Sequence, residues 1–310
     1  MIHVEDRPPL ARRTTTRHAR RLAIAGFAVL ILVVCGWIPG VMGTAAAALL
    51  PWLGLVLLTL VITAAFLARR VILLLLLPVL FWLLVMAPAF PGLPAAATAE
   101  TDLTIASQNV RAHSGSAAAS ATELARSDAD VVALTELDGD SLTAASEVLA
   151  AAYPHSYTVG TVALWSRYPL ANAEPLTLGL SWKRALRVEV QSPAGPVSVY
   201  VLHAASVRPG QQQDRDTMLH GIAEEVASDE ATAIVVVGDF NAPSTDPSLG
   251  ALRTEAEWVR PTDGTLGFTW PAALPLVRID QVFVRGLEVV TSSTLRTGNS
   301  DHLATMTRVR

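Results

Sequence analysis

The residues best suited to chemistry in this 310-residue chain lie in two short C-terminal motifs. An apolar run, Val235–Val237, leads through a glycine to Asp239 and Asn241. A Ser-Asp-His triplet follows about sixty residues later and provides Asp301 and His302. Carboxylate, amide and imidazole groups at strand ends are what metal-assisted hydrolysis of a phosphate ester requires. The pattern therefore predicts that chemistry and leaves the substrate open.

The same arrangement, an extended apolar segment that ends on a polar residue, recurs along the C-terminal two thirds of the chain. In chain order, the segments end on Asn109, Glu136, Ser166, His203, Asp239, Asp280 and the Asp301-His302 pair. Each residue alone has an ordinary structural explanation, such as a turn cap for Asn109 or a core imidazole for His203. Seven such ends in one chain are not a packing pattern and indicate a functional site.

Strand-like and helix-like segments position these residues. The predicted strands are Thr104–Val110, Val131–Leu134, Thr161–Ser166, Leu186–Gln191, Val197–His203, Thr232–Gly238, Arg278–Val284, Glu288–Ser293 and Ala304–Val309. The predicted helices are Ser116–Ser127, Ser141–Ala152 and Asp214–Ser228. Strands outnumber helices, and several follow one another directly. This order predicts an α+β domain in which two sheets pack together with helices outside, rather than one parallel sheet.

The N-terminal part of the chain has a different composition. In the whole chain, 51% of residues are hydrophobic and only 16% are charged, which is more apolar than an ordinary soluble enzyme. The excess lies in the apolar runs Leu22–Ile38, Leu49–Leu67 and Val71–Met86. Each approaches the roughly 17–25 residues that cross a bilayer. A cleaved signal peptide explains only the first run, so we expect three transmembrane helices.

Basic residues predict the orientation of these helices. Six arginines precede the first run, and Arg69-Arg70 separates the second from the third. Since such residues stay on the cytoplasmic side, three spans place the C-terminal domain outside the cytoplasm, and two spans would reverse this. The expected organisation is a cytoplasmic basic N-terminus (1–21), an all-α transmembrane region (22–90), a linker (91–101) and a catalytic domain (102–310). The expected location is therefore the cell membrane, with a multi-pass anchor.

The strand-end residues resemble the motifs of the endonuclease/exonuclease/phosphatase family, which are deoxyribonuclease-like metal-dependent phosphoesterases. The resemblance covers roughly Leu103 to Val309. The motifs that carry it are Gln108-Asn109, Leu134–Glu136, Ser166–Pro169, Gly238–Asn241 and Ser300–His302. Together with the apolar N-terminal runs, and with arginine greatly outnumbering lysine as in high-GC bacteria, it predicts a bacterial membrane-anchored member of the family. It also implies a four-layered α/β sandwich, with two packed central β-sheets and the site at one end.

The resemblance further implies a metal site and a water-activating residue. Glu136 would be the main ligand of a Mg²⁺ (or Mn²⁺) ion, with Asn109 beside it and Asp301 completing the site. Carboxylate and amide oxygens are the ligands that such hard cations prefer. Asp239 would orient or deprotonate the attacking water, and Asn241 would hold that water or a phosphate oxygen.

Three more residues are implied at the phosphate. His302 would contact the scissile phosphate and stabilise its transition state. Asp280 would form a hydrogen bond with His302 and fix its tautomer, and His203 would be a second imidazole at the phosphate. A carboxylate partner favours the charged form of an imidazole, so the pairing is physically sound.

The charge of the C-terminal part bears on the substrate. From Glu100 to Arg310 there are 25 acidic and 15 basic side chains, a net charge of −10. A nuclease needs a basic surface for the phosphate backbone. A lipid or cell-envelope phosphate ester, cleaved as a monoester or a diester, is therefore favoured over nucleic acid. An extracellular nuclease is the alternative, and a non-catalytic membrane-anchored binding protein is a second one. No obligate protein partner is expected.

Two further features are candidates for contact with the substrate or the membrane. In the loop Val207–Arg215, Arg208 or Arg215 could bind a second anionic group, although a polar surface loop is the simpler explanation. The tryptophans to consider at a membrane interface, most of them expected in the core, are Trp165, Trp182, Trp258 and Trp270.

Overall fold

The computed structural model describes residues 10–93, 102–208 and 212–310, with side chains described from residue 16 onwards. The chain divides into two compact units, one that ends at Pro88 and one that begins at Ala89. Residues 1–9 of the predicted cytoplasmic segment and residues 94–101 of the predicted linker lie outside the described residues.

The N-terminal unit is made of apolar helices. They are α1 (Leu10–Cys35), α2 (Val41–Leu67) and α3 (Ile72–Met86). The stretches long and apolar enough to cross a membrane are Thr16–Cys35, Val41–Leu67 and Arg69–Ala89. Large apolar side chains point outward from this unit, and Phe66 is 82% exposed. Such a surface suits a bilayer, where helices also satisfy their backbone hydrogen bonds internally.

The C-terminal unit contains twelve strands and four α-helices among its described residues. The strands are β1 (Leu103–Asn109), β2 (Val131–Thr135), β3 (His155–Val159), β4 (Val162–Ser166), β5 (Leu170–Leu176), β6 (Ala185–Ser192), β7 (Gly195–His203), β8 (Ile234–Asp239), β9 (Glu257–Trp258), β10 (Asp280–Arg285), β11 (Val289–Leu295) and β12 (Ala304–Val309). The helices are α4 (Ala117–Arg126), α5 (Gly139–Leu149), α6 (Gln212–Ser228) and α7 (Gly250–Glu255). Sheet one has the order β11-β12-β1-β2-β4-β3, and sheet two has the order β5-β6-β7-β8-β10-β9.

The two mixed sheets pack face to face between helices. Aliphatic side chains from both sheets, such as Ile105 and Val188, form one continuous core. A second core joins sheet one to α4 and α5 and includes Leu124. On the other side, Arg285 of β10 donates a hydrogen bond of 2.8 Å to the Val226 carbonyl in α6. The predicted four-layered α/β sandwich is therefore confirmed.

The strand register brings the predicted site residues together at the strand ends on one side of each sheet. β1 and β2 are parallel and place Asn109 beside Thr135, while β7 and β8 are parallel and place His203 beside Asp239. β10 runs antiparallel to β8, so its first residue, Asp280, also lies beside Asp239. β12 runs antiparallel to β1, so the residues that precede β12 return to the end of β1.

All nine predicted strands and all three predicted helices are present, with boundaries shifted by a few residues. The sequence prediction missed β3, β5 and β9, each of which is an edge strand of its sheet. All three have exposed polar positions, and β5 contains Pro175. Edge strands carry such residues because one side of the strand needs no hydrogen-bonded partner, and the apolar run that marks a central strand is then absent.

Candidate active site

The Asp239 carboxylate joins the two sheets at the centre of the site. Asn109, at the end of β1, donates a hydrogen bond from Nδ2 to Asp239 Oδ2 at 2.8 Å. The backbone N–H of Asn241 donates to the other oxygen, Oδ1, at 2.9 Å. Because Asn109 belongs to sheet one and Asp239 to sheet two, this bond makes the two groups of strand ends into one site.

The C-terminal end of β8 depends on a glycine. Gly238 has a φ of 137°, and a Cβ at this position would lie 2.0 Å from the carbonyl oxygen of Leu202 in β7. Asn241 has a φ of 48°, in the left-handed region that Asn tolerates better than most residues. Its Nδ2 donates to the Ala204 carbonyl at 3.0 Å. The Gly-Asp-Phe-Asn sequence therefore fixes the carboxylate at the strand end.

Asp239 titrates close to neutral pH. Burial is the main cause that raises the pKa of Asp239 to about 6, and the negative charge of Asp280 adds to the effect. His302 and the hydrogen bonds from Asn109 and Asn241 oppose the rise. A carboxylate with a pKa in this range can take a proton from water and release it again.

His302 and Asp280 form a buried ion pair. The Nδ1 atom of His302 lies 2.9 Å from Asp280 Oδ2. Burial lowers the pKa of His302, but the carboxylates of Asp280, Asp239 and Asp301 outweigh it and raise this pKa to about 10. The imidazole is therefore a cation at neutral pH. Both of its nitrogens carry protons, so Nε2–H remains as a donor besides the one directed at Asp280.

His203, unlike His302, is uncharged at neutral pH. Its hydrogen-bond partner is Arg184, which the sequence analysis did not place in the site. The Nη2 atom of Arg184 lies 2.7 Å from Nδ1 and 2.9 Å from Nε2 of His203. Burial, followed by the positive charges of Arg184 and His302, lowers the pKa of His203 well below its usual value. His203 is thus a neutral acceptor. A signal for Arg184 existed, because β6 and β7 are consecutive strands joined by the two-residue turn Pro193-Ala194, and the register of that hairpin sets Arg184 beside His203.

Two more predicted carboxylates lie at the same edge. Glu136 directly follows Thr135, which faces Asn109 in the sheet, and its φ is 60°. Burial lowers the pKa of Arg184, while the negative charges of Asp239 and Glu136 oppose this shift, so both carboxylates lie within electrostatic range of the guanidinium.

Asp301 is tied to the end of β1 through its neighbour. Ser300 Oγ donates a hydrogen bond of 2.6 Å to the carbonyl of Asn109. All eight predicted site residues therefore lie at one edge of the sandwich. They are Asn109, Glu136, His203, Asp239, Asn241, Asp280, Asp301 and His302.

The charge balance of this site fits a divalent cation. Asp280 Oδ1 and Asp301 Oδ1 are buried and find no hydrogen-bond donor among the described residues. The carboxylates of the site are Glu136, Asp239, Asp280 and Asp301. The Arg184, His302 and Arg278 cations act on these carboxylates, which leaves an excess of one negative charge. Buried carboxylates with unfilled oxygens are costly without a cation, and a hard divalent ion prefers such ligands.

Within the described residues, one group of three acidic or imidazole side chains brings its possible ligand atoms within 4.8 Å of one another. The group is Asp239, Asp280 and His302. A protonated imidazole has no lone pair for a metal, and His302 is held in that state by its carboxylate neighbours. This group is therefore better suited to moving and holding protons than to binding the ion. Glu136 and Asp301 lie outside it.

Residues 106–302 match the sequence profile described as the Endonuclease/Exonuclease/phosphatase family. The match covers more than half of the chain and includes all eight predicted site residues. The chain belongs to this family. As a member of the endonuclease/exonuclease/phosphatase family, it is a metal-dependent hydrolase of phosphoric esters.

Solved structures share the family fold. One is TDP2 of D. rerio in complex with a single-strand DNA product, with 18% identity, a TM-score of 0.58 and coverage of 67% of this chain and 98% of that chain. A mannosyl-6-phosphatase of Bacteroides thetaiotaomicron has 18% identity, a TM-score of 0.57 and coverage of 67% and 99%. Beta toxin from Staphylococcus aureus has 16% identity, a TM-score of 0.50 and coverage of 66% and 99%. These likenesses show the fold alone, and no curated protein sequence matches the chain.

The structure of this family member corrects one expectation about the loop before α6. Arg215 is fully buried, and its Nη1 donates to Asp246 Oδ2 at 3.1 Å. It also forms an ion pair with Asp216. An internal arginine in this network cannot bind a substrate anion, so that prediction is wrong for Arg215. Arg208 is exposed, and its positive charge lowers the pKa of Arg184, while residues 209–211 lie outside the described residues.

Proposed function

We propose that the chain is a membrane-anchored phosphoesterase that hydrolyses a lipid or cell-envelope phosphate ester by in-line attack of water. The proposal rests chiefly on one observation, the two opposite charge states held next to each other in the buried site. The pKa of Asp239 is about 6 and that of His302 is about 10. Between these values the carboxylate is a base while the imidazole is a cation, which is the combination that phosphoryl transfer to water needs.

In the proposed reaction, Asp239 orients the attacking water and accepts its proton. The hydrogen bonds from Asn109 and Asn241 hold the carboxylate in one rotamer for this task. His302 donates from Nε2 to a phosphoryl oxygen and neutralises the charge that develops there, while Asp280 keeps the ring oriented and protonated.

Arg184 and His203 form a second contact for the phosphoryl group in this proposal. His203 is neutral and accepts a hydrogen bond from Arg184, which fixes the direction of the guanidinium. A guanidinium has five N–H donors in a planar fork, so donors remain for phosphate oxygens. We infer that His203 acts at the phosphate mainly by positioning Arg184.

Glu136, Asn109 and Asp301 would hold the metal ion, which we expect to be Mg²⁺ or Mn²⁺. When bound, such an ion neutralises charge on the phosphoryl group and lowers the pKa of a bound water. Two observations support this placement: the Asp301 oxygen without a donor, and the protonated His302 in the alternative cluster.

The choice of a lipid or envelope ester rests on features of this chain. Proteins with this fold include a TDP2 in complex with a DNA product and a mannosyl-6-phosphatase, so the fold does not select the substrate. The catalytic part carries a net charge of −10, which opposes binding to a phosphate backbone. Three helices that are able to cross a membrane precede it on the same chain.

The proposed organisation follows from the same helices. Residues 22–90 would anchor the protein in the cell membrane as a multi-pass segment, with residues 1–21 in the cytoplasm. Residues 91–101 would link this anchor to a catalytic domain, 102–310, on the outer side. The basic residues before α1 and between α2 and α3 support this orientation.

The full chain tests the proposal when it is offered three substrates side by side. These are phospholipid vesicles, plasmid DNA and bis-p-nitrophenyl phosphate, each with Mg²⁺, with Mn²⁺ and with EDTA, and with Asp239→Asn as the control. We expect metal-dependent release of phosphorylated headgroup or phosphate from the vesicles while the plasmid stays intact. Rapid nicking of the plasmid with intact vesicles would instead support the extracellular nuclease.

A further inference from the structure

Exposed apolar side chains in the described C-terminal unit concentrate beside the site. The large ones are Leu93, Trp182, Val207, Trp270, Leu274 and Leu276. Trp182 lies two residues before Arg184, and Val207 lies four residues after His203. Of the tryptophans singled out in the sequence, Trp165 and Trp258 are buried instead. Apart from Leu93, the exposed apolar side chains therefore belong to loops that adjoin site residues.

Three of these side chains sit on one small hairpin, Trp270–Val277. Backbone hydrogen bonds pair its two ends. The N–H of Ala272 donates to the carbonyl of Asp301 at 2.6 Å, which fastens the hairpin to the site. Leu274 at its tip is 66% exposed. The hairpin thus holds apolar groups in solvent at a fixed position next to a predicted metal ligand.

The sequence segments that carry these apolar side chains contain basic residues and no acidic ones. The chain has no Asp or Glu at positions 175–188, 190–213 or 264–279, although residues 100–310 contain 25 acids. Exposed cations directly follow apolar side chains in two of these segments, as Trp182-Lys183 and Val207-Arg208. These segments are therefore apolar and basic at their exposed positions, although site carboxylates such as Asp301 lie beside them and the domain is acidic overall.

An apolar tip beside a cation has the chemistry of a group that enters a bilayer surface. The apolar part reaches the acyl region, and the cation meets the lipid phosphates. Nucleic acid would use the cations without the aliphatic tips, and a small polar ester would use neither. The chain also has three helices that are long and apolar enough to cross a membrane. A bilayer is therefore the partner that we favour for these apolar side chains.

We propose that Trp182, Val207 and the hairpin Trp270–Val277 form a bilayer-docking surface, here called the apolar rim. The rim binds a phospholipid bilayer and holds the site against the phosphate headgroups. This inference rests on the proposed function and specifies how the same site meets a substrate that remains in its membrane.

A lipid-borne quencher tests the apolar rim in the full chain. In a Cys35→Ala background, Leu274→Cys carries a polarity-sensitive fluorophore, and Ala150→Cys, at the exposed end of α5, is the matched control. The protein is reconstituted in phosphatidylcholine vesicles with and without phosphatidylglycerol. We expect nitroxide-labelled lipid to quench the probe at position 274, more strongly with phosphatidylglycerol, and not the probe at position 150. Leu276→Cys repeats the test if the first variant does not fold.

Two results would overturn the apolar rim. One is equal quenching by aqueous iodide at positions 274 and 150, which would place the rim in water. The other is a blue-shifted probe at position 274 that lipid nitroxides do not quench, which would show that protein covers it.

An activity ratio separates this inference from the proposed function. For Leu274→Ser with Leu276→Ser, turnover of vesicle lipid relative to bis-p-nitrophenyl phosphate should fall by about tenfold or more, since burial of one leucine contributes at least that factor. An unchanged ratio in an active enzyme would refute the docking role of the apolar rim but would not contradict the proposed function. If wild type hydrolyses neither substrate with metal, the proposed function fails, and the quenching result still decides whether the rim docks.

Discussion

Replacement of Asp280 by Asn perturbs the charge state on which the proposed chemistry depends. The change removes a negative charge 2.9 Å from His302 Nδ1 and keeps the size of the side chain. The pKa of His302 is raised from 6.5 to about 10 despite burial, and Asp280 is the largest of the causes that raise it. At about 1.4 kcal/mol per pKa unit, this shift corresponds to about 5 kcal/mol in favour of the cation. We expect most of that preference to vanish in Asp280→Asn.

The pH dependence of the rate reports this loss. In wild type the rate should rise as Asp239 loses its proton near pH 6 and fall as His302 loses its proton near pH 10. In Asp280→Asn the alkaline limb should move down by several pH units and the plateau between the limbs should narrow. The acid limb should also move down, because Asp280 no longer raises the pKa of Asp239. At neutral pH kcat should fall by about 10³–10⁴-fold, the size of effect seen when a carboxylate that holds a catalytic imidazole is replaced.

The assay is a pH–rate profile of the full chain on bis-p-nitrophenyl phosphate with saturating metal. Asp280→Glu is the control, because it keeps the charge and should retain an alkaline limb far above neutral. The same pairing stabilises the fold. Since folding raises the pKa of His302, this contribution is complete below pH 6.5 and is lost as the pH rises through about 10. An alkaline limb that stays in place in Asp280→Asn would refute the role of His302 as a cation held by Asp280.

Three further variants test other parts of the account. Asp239→Asn should lower kcat by about 10²–10⁴-fold and remove the acid limb near pH 6, and a retained limb in its pH–rate profile would assign that limb to another group. Gly238→Ala should lower thermal stability, because the new Cβ would lie 2.0 Å from the Leu202 carbonyl at a φ of 137°; an unchanged melting temperature would contradict the strain at this strand end. Arg215→Met should cost about 3–5 kcal/mol of unfolding free energy by leaving Asp246 buried without its partner, and should leave KM unchanged; a higher KM in a stable variant would return Arg215 to the substrate site.

Much of the fold was predictable because the central strands are short, apolar and bounded by polar residues. Val131–Thr135 and Ile234–Asp239 are fully buried, and an unbroken apolar run signals such a strand well. The site residues were predictable for a related reason. One strand that ends on a polar residue, as β8 ends on Asp239, has an ordinary structural explanation, but seven such ends in one chain indicate a functional site.

The parts that the sequence analysis did not predict depend on strand register and on contacts between separate segments. Arg184 belongs to the site because the register of the β6–β7 hairpin sets it beside His203. Arg215 is not part of the site, because its guanidinium is buried and donates to Asp246, which lies 31 residues later in the chain. The exposure of Trp270 depends on how its hairpin is fastened to the Asp301 carbonyl. Residue type and local pattern do not fix the exact register of a hairpin or the contacts between distant side chains.

The central claim is that Glu136, Asn109 and Asp301 bind the metal ion, whereas Asp239, Asp280 and His302 hold and transfer protons. Mn²⁺ binding measured by calorimetry tests this claim most directly. The full chain is titrated as wild type, as Glu136→Gln and as His302→Gln. The account predicts that Glu136→Gln weakens Mn²⁺ binding by about tenfold or more, because it removes a charged ligand. It predicts that His302→Gln keeps or tightens binding, because it removes a positive charge near the ion. Loss of binding in His302→Gln with retained binding in Glu136→Gln would contradict the account and place the metal among Asp239, Asp280 and His302.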